Sequence, residues 1–315
     1  MSHSSVQDKT KWLKDQALAL GFMSVGCSEA QFLKEEAERL KNWLSQGFQG
    51  EMSYLENHFD KRTDPAKLVE GCQSVVTLSY NYFPETTQAE AKHTIAKYAY
   101  GRDYHKVIKK KLKFLWKSME AKFENLEGRY FVDSGPVMER EWALRGGLGW
   151  VGKNTLIIDP KRGSYFFLAV ILINQELEYD QAIEDHCGTC TRCIEVCPTA
   201  AIQPEGYVLE ADKCISYLTI EYKEDSLPAK FEGKMDNWIF GCDLCQDVCP
   251  WNKFSQAHQE PEFINKRNLL TMTDQDWINL AEEDFNILFE GSAVKRTGYH
   301  GLKRNIDFVN RNGRQ

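Results

Sequence analysis

Two runs of closely spaced cysteines are the side chains in this sequence with the clearest chemistry. The first run has the spacing C-x2-C-x2-C-x3-C-P and consists of Cys187, Cys190, Cys193 and Cys197. Three thiolates at this spacing wrap one [4Fe-4S] cluster, and the fourth, ahead of the proline, reaches a neighbouring cluster. The first run therefore predicts two clusters, side by side, that carry electrons one at a time.

The second run is one cysteine short of the same pattern. It consists of Cys242, Cys245 and Cys249, and Ile239 stands where the missing cysteine would be. Cys214 lies between the two runs, so we expect Cys214 to supply the missing ligand. This assigns one cluster to Cys187, Cys190, Cys193 and Cys249, and the other to Cys197, Cys214, Cys242 and Cys245.

Two other interpretations of the cysteines compete with clusters. Zinc prefers two separated C-x2-C pairs that form one tetrahedral site, which does not match the interleaved pattern. Disulfides require an oxidising compartment, for which the sequence gives no sign. We interpret the remaining pair, Cys27 and Cys72, as small buried hydrophobic residues.

Composition indicates a globular cytoplasmic protein. The chain has 315 residues, of which 42% are hydrophobic and 27% are charged. No apolar run approaches the roughly 20 residues that span a bilayer, and the segment 1–14 is too polar for a signal peptide, so we expect no membrane contact. The net charge of −7 argues against indiscriminate nucleic-acid binding, although basic segments stand out at 106–113 and 295–314.

Alternating helical and β-like patterns upstream of the cysteines predict an α/β layered domain. Strands are predicted at 22–27, 74–80, 95–100, 129–133, 155–159 and 165–173. Helices are predicted at 6–20, 30–45, 64–71, in the lysine-rich stretch that extends to Phe123, at 137–144, 268–280 and 282–289, ahead of a compact basic motif at 291–305. We expect an α/β domain at 1–178, a ferredoxin-like double-cluster domain at 179–255 and a helical, basic segment at 256–315.

The α/β domain offers two candidate ligand sites. Asp133 ends a predicted strand, and α/β folds place ligands at the carboxyl ends of strands. The stretch 145–154 contains four glycines, which allow tight turns or close approach of a ligand. Neither pattern names a ligand, since Asp133 can simply cap a helix and the glycine spacing matches no nucleotide-binding motif.

Several motifs stand out over nearly the whole chain. The upstream motifs are Gly50 to Tyr54, Lys97 to His105, Val132 to Arg140 and Gly147 to Asn154. Both cysteine runs and the Lys-Arg-Thr-Gly segment that begins at Lys295 accompany them. Together these motifs resemble those of the epoxyqueuosine reductase family. Many proteins share the cysteine pattern alone, whereas the upstream motifs make the resemblance specific.

The resemblance implies a cobalamin-dependent oxidoreductase that reduces the epoxide of epoxyqueuosine to the alkene of queuosine in the wobble position of tRNA. It implies that the α/β (α+β) domain binds cobalamin and that Asp133 gives a proton to the departing epoxide oxygen. A carboxyl group can do this near neutral pH only when it is desolvated, here beneath the corrin. The residues that the resemblance places near cobalamin are Lys97, Asp133, Lys153, Asn154, Thr155 and Ser216.

The histidine fingerprint of some cobalamin proteins, D-x-H-x-x-G, is only half present at Asp103 and His105, because Ile108 replaces the glycine. We therefore expect cobalt without a protein histidine ligand, and Tyr104 and His105 become candidates to face the substrate.

The implied partners are a tRNA anticodon stem-loop and an electron donor such as a flavodoxin or ferredoxin. Phosphates near the pocket need cations, and the candidates are Lys109, Lys110, Lys111, Lys295, Arg296, Lys303 and Arg304. Some family members continue into a helical-repeat extension, so we expect tRNA contacts of that extension to be absent or replaced here.

Two other functions stay open from the sequence. Reductive dehalogenases also pair a corrinoid with two clusters, but they are usually exported, and this chain shows no signal segment. A two-cluster electron-transfer module, whose α/β half only docks a partner, predicts clusters without a corrinoid.

Overall fold

The computed structural model describes residues 5–88, 91, 93–265 and 267–311. The strands are β1 (Ser24–Glu29), β2 (Ser74–Asn81), β3 (Thr94–Ile95), β4 (Gly128–Phe131), β5 (Trp150–Val151), β6 (Ile157–Ile158), β7 (Phe166–Ile173) and β8 (Trp238–Phe240). The α-helices are α1 (Val6–Ala19), α2 (Lys34–Ser45), α3 (Phe59–Thr63), α4 (Tyr104–Lys122), α5 (Glu139–Arg145), α6 (Arg192–Glu195), α7 (Ile215–Ile220), α8 (Leu244–Asp247), α9 (Asp274–Ile278), α10 (Glu282–Leu288) and α11 (Gly298–Arg311). Within the described residues, no helix is both long and apolar enough to cross a membrane.

The main sheet is antiparallel throughout and has the strand order β1-β2-β7-β4. β2 and β7 lie at its centre, and nearly all of their residues are buried, as their continuous apolar runs predict. The prediction of a mixed α/β fold is therefore confirmed. Asp133 follows the carboxyl end of β4 as predicted, but the rule that places ligands at such ends applies to parallel sheets, whereas neighbouring strands here run in opposite directions.

Helices cover both faces of this sheet. On one face, Val76 and Ile171 pack with apolar residues of α1 and α4. On the other face, Val75 and Leu172 pack with Trp142 of α5. Successive strand residues point to opposite faces, so each apolar run supplies both cores. The sheet is therefore the middle layer, with α1 and α4 on one side and α5 on the other.

The predicted strand 95–100 is much shorter in the structure. It contributes only to β3, which pairs in parallel with β8, and the chain then turns through the 3-10 segment Lys97–Ala99. The backbone N–H of Lys97 donates to Asp243 Oδ2 at 2.8 Å. A side-chain carboxylate thus takes the place of the backbone carbonyl that would accept this hydrogen bond in a longer strand.

The predicted helix 268–280 is interrupted. Leu269–Thr271 forms a 3-10 turn, and α9 starts anew behind it because Thr273 and Asp276 form a capping box. The compact basic motif predicted at 291–305 is mostly helical and lies largely within α11.

A second core joins segments that are far apart in the chain: residues 95–100, α7, β8 and α11. Asn305, which is fully buried on α11, donates to the carbonyl oxygens of Thr219 and Ile239 at 2.8 and 2.9 Å. Buried carbonyl groups need such partners, so α11 is part of the region that carries the cysteines. This core draws on all three predicted domains, whose boundaries stay predictions.

Candidate active site and cluster ligands

The first predicted set of cysteines lies together around α6. Burial is the main cause that raises the pKa of Cys193 to about 11, and the negative charges of the ionised Cys187, Cys249 and Cys190 add to the rise. Charges act in this way only over short distances in a protein, so the four thiols are neighbours. The fourth member comes from the second run, as the interleaved pattern requires.

The second set lies between α7 and α8. Burial, followed by the charges of Cys214 and Cys245, raises the pKa of Cys242. The charge of Cys197 likewise acts on Cys214, whose pKa is raised mainly by burial. Cys214 therefore lies beside the other three thiols of its predicted set. The donor set of eight thiols fits two [4Fe-4S] clusters.

Lys153 lies against the first cysteine run. Its ammonium group donates to the carbonyl oxygens of Gly188 and Cys190 at 2.7 and 3.0 Å. Beside it, Trp150 Nε1 donates to Cys187 Sγ at 3.5 Å. Donors near cluster sulfurs stabilise negative charge and so influence the reduction potential.

Asn154 and Thr155 lie against the second cysteine run and α5. Asn154 Nδ2 donates to the carbonyl oxygen of Cys245 at 3.3 Å, and the carbonyl of Thr155 accepts from Arg140 at 2.6 Å. Thr155 has a left-handed φ of 65°, so the strand predicted at 155–159 begins only at β6. These contacts anchor the glycine-rich turn to the elements around it.

The glycines of that turn meet protein rather than open space. A Cβ at Gly149 would lie 2.2 Å from the carbonyl oxygen of Ile158, so the close approach there is between β6 and the turn itself. The turn thus needs glycine because the backbone packs closely there. The sequence alone could not distinguish this reason for the glycines from close approach of a ligand.

Lys97 is tied to the second run. Its ammonium lies 2.6 Å from Asp247 Oδ1 and 3.4 Å from Asp243 Oδ2. Burial alone would lower the pKa of Lys97, but these two carboxylates outweigh it and raise the pKa. Lys97 and Asp247 also line a cavity of about 890 Å³ beside Cys249. Ser216 lies half-buried on α7, two residues after Cys214.

Asp133 lies on the loop after β4 and is held from three directions. Its φ is 46°, in the left-handed region. Tyr104 Oη donates to Asp133 Oδ2, His105 Nε2 lies 3.8 Å from the same oxygen, and the backbone N–H of Asp133 donates to Glu139 Oε1 at 2.7 Å. The Asp133 side chain is nevertheless 62% exposed. The chain alone therefore does not supply the desolvation expected of a proton donor.

The start of α4 positions Tyr104 and His105. Asp103 caps the helix, because its Oδ1 accepts from the backbone N–H of His105 at 3.0 Å. The ring of Tyr104 is stacked between His105 and Phe167, at 4.1 and 4.0 Å between ring centres. Burial, followed by the charge of Asp133, raises the pKa of Tyr104, so the hydroxyl keeps its proton.

Sequence reasoning gave no role to Glu139. Burial, followed by the charge of Asp133, raises the pKa of Glu139 to about 8. A glutamate in the first turn of a helix is usually exposed to solvent. The only sequence signal for a special role of Glu139 is its position in the motif that contains Asp133. Arg62 lies nearby, and its Nε is buried without a hydrogen-bond partner among the residues that the structure describes.

The C-terminal cations have different positions. Arg296 pairs with Glu221, with Nε 2.7 Å from Oε1. This contact raises the pKa of Arg296, and the charge of Asp133 acts in the same direction to a smaller extent, so Arg296 lies within electrostatic reach of Asp133. Lys303 instead donates to the carbonyl of Ile278. Arg304 donates to the carbonyls of Leu218, Tyr222 and Glu224.

The other basic candidates lie on the surface. Lys295 donates to Asn286. On α4, Lys109 and Lys110 are exposed, whereas Lys111 pairs with Glu260 at 3.0 Å. Of the seven cations suggested by the sequence, the structure thus brings Arg296 to Asp133 and uses Arg304 within the fold.

Known proteins resemble this chain over nearly its whole length. It is 52% identical to the epoxyqueuosine reductase of Cellulophaga algicola, over 94% of this chain and 96% of the relative. The chain belongs to the epoxyqueuosine reductase family. The Escherichia coli member is 38% identical over 93% of this chain, which spans 78% of that longer protein.

Family models and solved structures agree with this assignment. The model for epoxyqueuosine reductase QueG matches residues 62–134, and the model for a 4Fe-4S double cluster binding domain matches residues 186–252. A crystal structure of an epoxyqueuosine reductase with an epoxyqueuosine-modified tRNA-Tyr stem loop superimposes with a TM-score of 0.89 at 29% identity, covering 98% of this chain and 82% of that chain. A Bacillus subtilis structure of the family, with its aspartate catalytic loop swung out of the active site, has the same TM-score at 28% identity over the same shares.

The raised pKa of Glu139 predicts a pH-dependent stability. The folded state keeps the Glu139 proton up to about pH 8, whereas the unfolded chain loses it near 4.5. Stability should therefore fall as pH rises through this window, and Glu139→Gln should remove that part of the fall. We expect the melting temperature of the variant to exceed that of the wild type by about 2 °C or more at pH 8, and to match it near pH 4.5. Exposed Glu124→Gln is the control, and parallel curves for wild type and Glu139→Gln would contradict the expectation.

Proposed function

We propose that this chain reduces the epoxide of epoxyqueuosine in tRNA to the alkene of queuosine, with cobalamin and two [4Fe-4S] clusters as cofactors. The observation that carries the proposal is the Asp133 carboxyl group, which lies beside two proton-carrying side chains and close to the second cysteine set. Tyr98 lies between Asp133 and the second cysteine run. Its pKa is raised mainly by burial and then by the negative charges of both Asp133 and Asp243, the residue after Cys242.

The cluster ligands follow from the two groups of thiols. One cluster is held by Cys187, Cys190, Cys193 and Cys249, and the other by Cys197, Cys214, Cys242 and Cys245. The second cluster is the one nearer to Asp133. An electron donor such as a flavodoxin or ferredoxin feeds the clusters, which transfer single electrons towards the site.

The residues around Asp133 fit a large polar cofactor. The exposed side of Asp133 and the unpartnered Nε of Arg62 offer contacts that the chain itself leaves open. Lys97, Asp133, Lys153, Asn154, Thr155 and Ser216 are the residues we propose for cobalamin. When bound, cobalamin supplies a strongly reducing cobalt centre for cleavage of the carbon–oxygen bond.

Asp133 is the proton donor in this proposal. Its carboxyl group gives a proton to the epoxide oxygen as the carbon–oxygen bond breaks, while the hydrogen bond from Tyr104 holds it in place. Bound cofactor and substrate cover the exposed side of Asp133 and so supply the desolvation that keeps it protonated.

The direct test is conversion of epoxyqueuosine in an anticodon stem-loop by pre-reduced, cofactor-loaded enzyme in a single turnover. We expect queuosine from the wild type, and a rate at least 10²-fold lower for Asp133→Asn with tRNA affinity nearly unchanged. Asp307→Asn, an exposed change on α11, is the control. No conversion by the wild type would remove the proposed function, whereas an unchanged rate in Asp133→Asn would remove only the role of that residue.

Cluster content tests the ligand assignment. Cys214→Ala should lose one cluster and keep the other, because Ile239 leaves no replacement thiolate in the second run. Iron analysis and EPR of the reconstituted protein should then give about four irons per chain instead of about eight. Cys72→Ala is the matched control and should keep both clusters. About eight irons in Cys214→Ala would show that Cys214 is not a ligand.

The salt dependence of binding tests the proposed tRNA surface. Tyr104 and His105 are the candidates for contact with the modified base. The candidates for contact with the phosphates are Lys109, Lys110, Lys111, Lys295, Arg296, Lys303 and Arg304. Lys295→Ala with Arg296→Ala should weaken stem-loop binding and reduce the salt slope by roughly 1 to 2. Arg304→Ala should instead lower the melting temperature, because its guanidinium binds three backbone carbonyls. Equal affinity and slope for the double variant and the wild type would place the tRNA elsewhere.

A further inference from the structure

We propose that His105, held by Asp103, passes a proton to Asp133 and so makes the second proton of the reaction available. The inference rests on the proposed function. Reduction of an epoxide to an alkene takes up two electrons and two protons: both carbon–oxygen bonds break, a carbon–carbon double bond forms and the oxygen leaves as water. One carboxyl group carries one proton, so Asp133 is a carboxylate after its first transfer and must be protonated again.

His105 lies between two carboxyl groups. Its Nδ1 is 2.7 Å from Asp103 Oδ1, and its Nε2 is 3.8 Å from Asp133 Oδ2. The contact with Asp103 orients the ring, so that Nδ1–H donates to Asp103 and Nε2 faces Asp133. A separation of 3.8 Å is longer than a hydrogen bond, but catalytic contacts of this kind often tighten only when substrate is bound.

The position of the ring is fixed by the fold. Asp103 cannot turn away easily, because the same Oδ1 caps α4 through the backbone N–H of His105. The imidazole stacks on Tyr104, whose other face lies on Phe167 of the main sheet. The distance between His105 and Asp133 is therefore set by elements that also form the core.

The other groups around Asp133 are less able to supply this proton. Tyr104 holds its proton tightly, since burial and the charge of Asp133 both raise its pKa. Glu139 contacts the backbone N–H of Asp133 rather than its carboxyl group. Arg296 stays protonated, because its pair with Glu221 raises its pKa further.

His105 also has a route to recover its proton. Its side chain is 26% exposed, so water has access to the ring and returns the proton to Nε2. Histidine is the side chain that most readily gains and loses a proton near neutral pH. Proton transfer from solvent through His105 to Asp133 leaves His105 unchanged after each cycle.

Chemical rescue tests the transfer. In single turnovers with pre-reduced enzyme, His105→Ala should form queuosine at least 10-fold more slowly than the wild type, and added imidazole should restore part of the rate. His105→Gln keeps a polar group of similar length but cannot relay a proton, so it should be slow as well. The wild type with imidazole controls for binding of imidazole to cobalt.

A second measurement does not depend on turnover. In the protein without cobalamin, NMR of labelled histidine should show that the ring nitrogen resonances of His105 move in Asp133→Asn, because the group that faces Nε2 changes, and that they stay in place in Asp307→Asn. Wild-type rates in both His105 variants, or His105 resonances that Asp133→Asn leaves unchanged, would overturn the inference while the proposed function stands. If the wild type itself forms no queuosine, the proposed function fails, and this inference with it.

Discussion

The position of the cysteines relative to Asp133 depends on one buried carboxylate, Asp243. It directly follows Cys242 and accepts from both the backbone N–H and the ammonium of Lys97, at 2.8 and 3.4 Å. Burial raises the pKa of Asp243 to about 6, and Lys97 opposes this rise. Separation of the pair would leave a charge buried without a partner, which is strongly destabilising. The second cysteine run is therefore held against the segment that begins at Lys97.

That segment leads directly to the proton-carrying groups. Tyr98 packs on Phe240, which lies just ahead of the second run, and meets the ring of Tyr104 edge-on at 6.2 Å. Tyr104 in turn donates to Asp133. A short chain of packed rings thus connects the segment just ahead of the second run with the Asp133 carboxyl group. The proposed reduction needs both electrons and protons, and this packing links the residues proposed to supply them.

The charge distribution explains how an acidic chain fits a family that acts on tRNA. Many of its cations are used within the fold, as Arg304 is by backbone carbonyls and Lys111 by Glu260. Arg296 differs, because it pairs with Glu221 and also lies within electrostatic reach of Asp133. The site therefore has a nearby cation although the chain as a whole is acidic. Electrostatic attraction between a protein and a nucleic acid depends on the local potential at the binding surface and not on the net charge of the protein.

The sequence by itself determined the cysteine pattern of a double-cluster domain, the mixed α/β fold and, through its upstream motifs, the family. These features are local: thiol spacing identifies a cluster pattern, and continuous apolar runs identify buried strands such as β2 and β7. The tertiary structure alone decided that the sheet is antiparallel, that Lys97 pairs with Asp243, and that Glu139 and His105 meet at Asp133. It also decided that Gly149 serves packing against Ile158. The physical reason is that burial and charge pairing join residues far apart in the chain, and neither spacing nor periodicity records which distant partner a side chain meets.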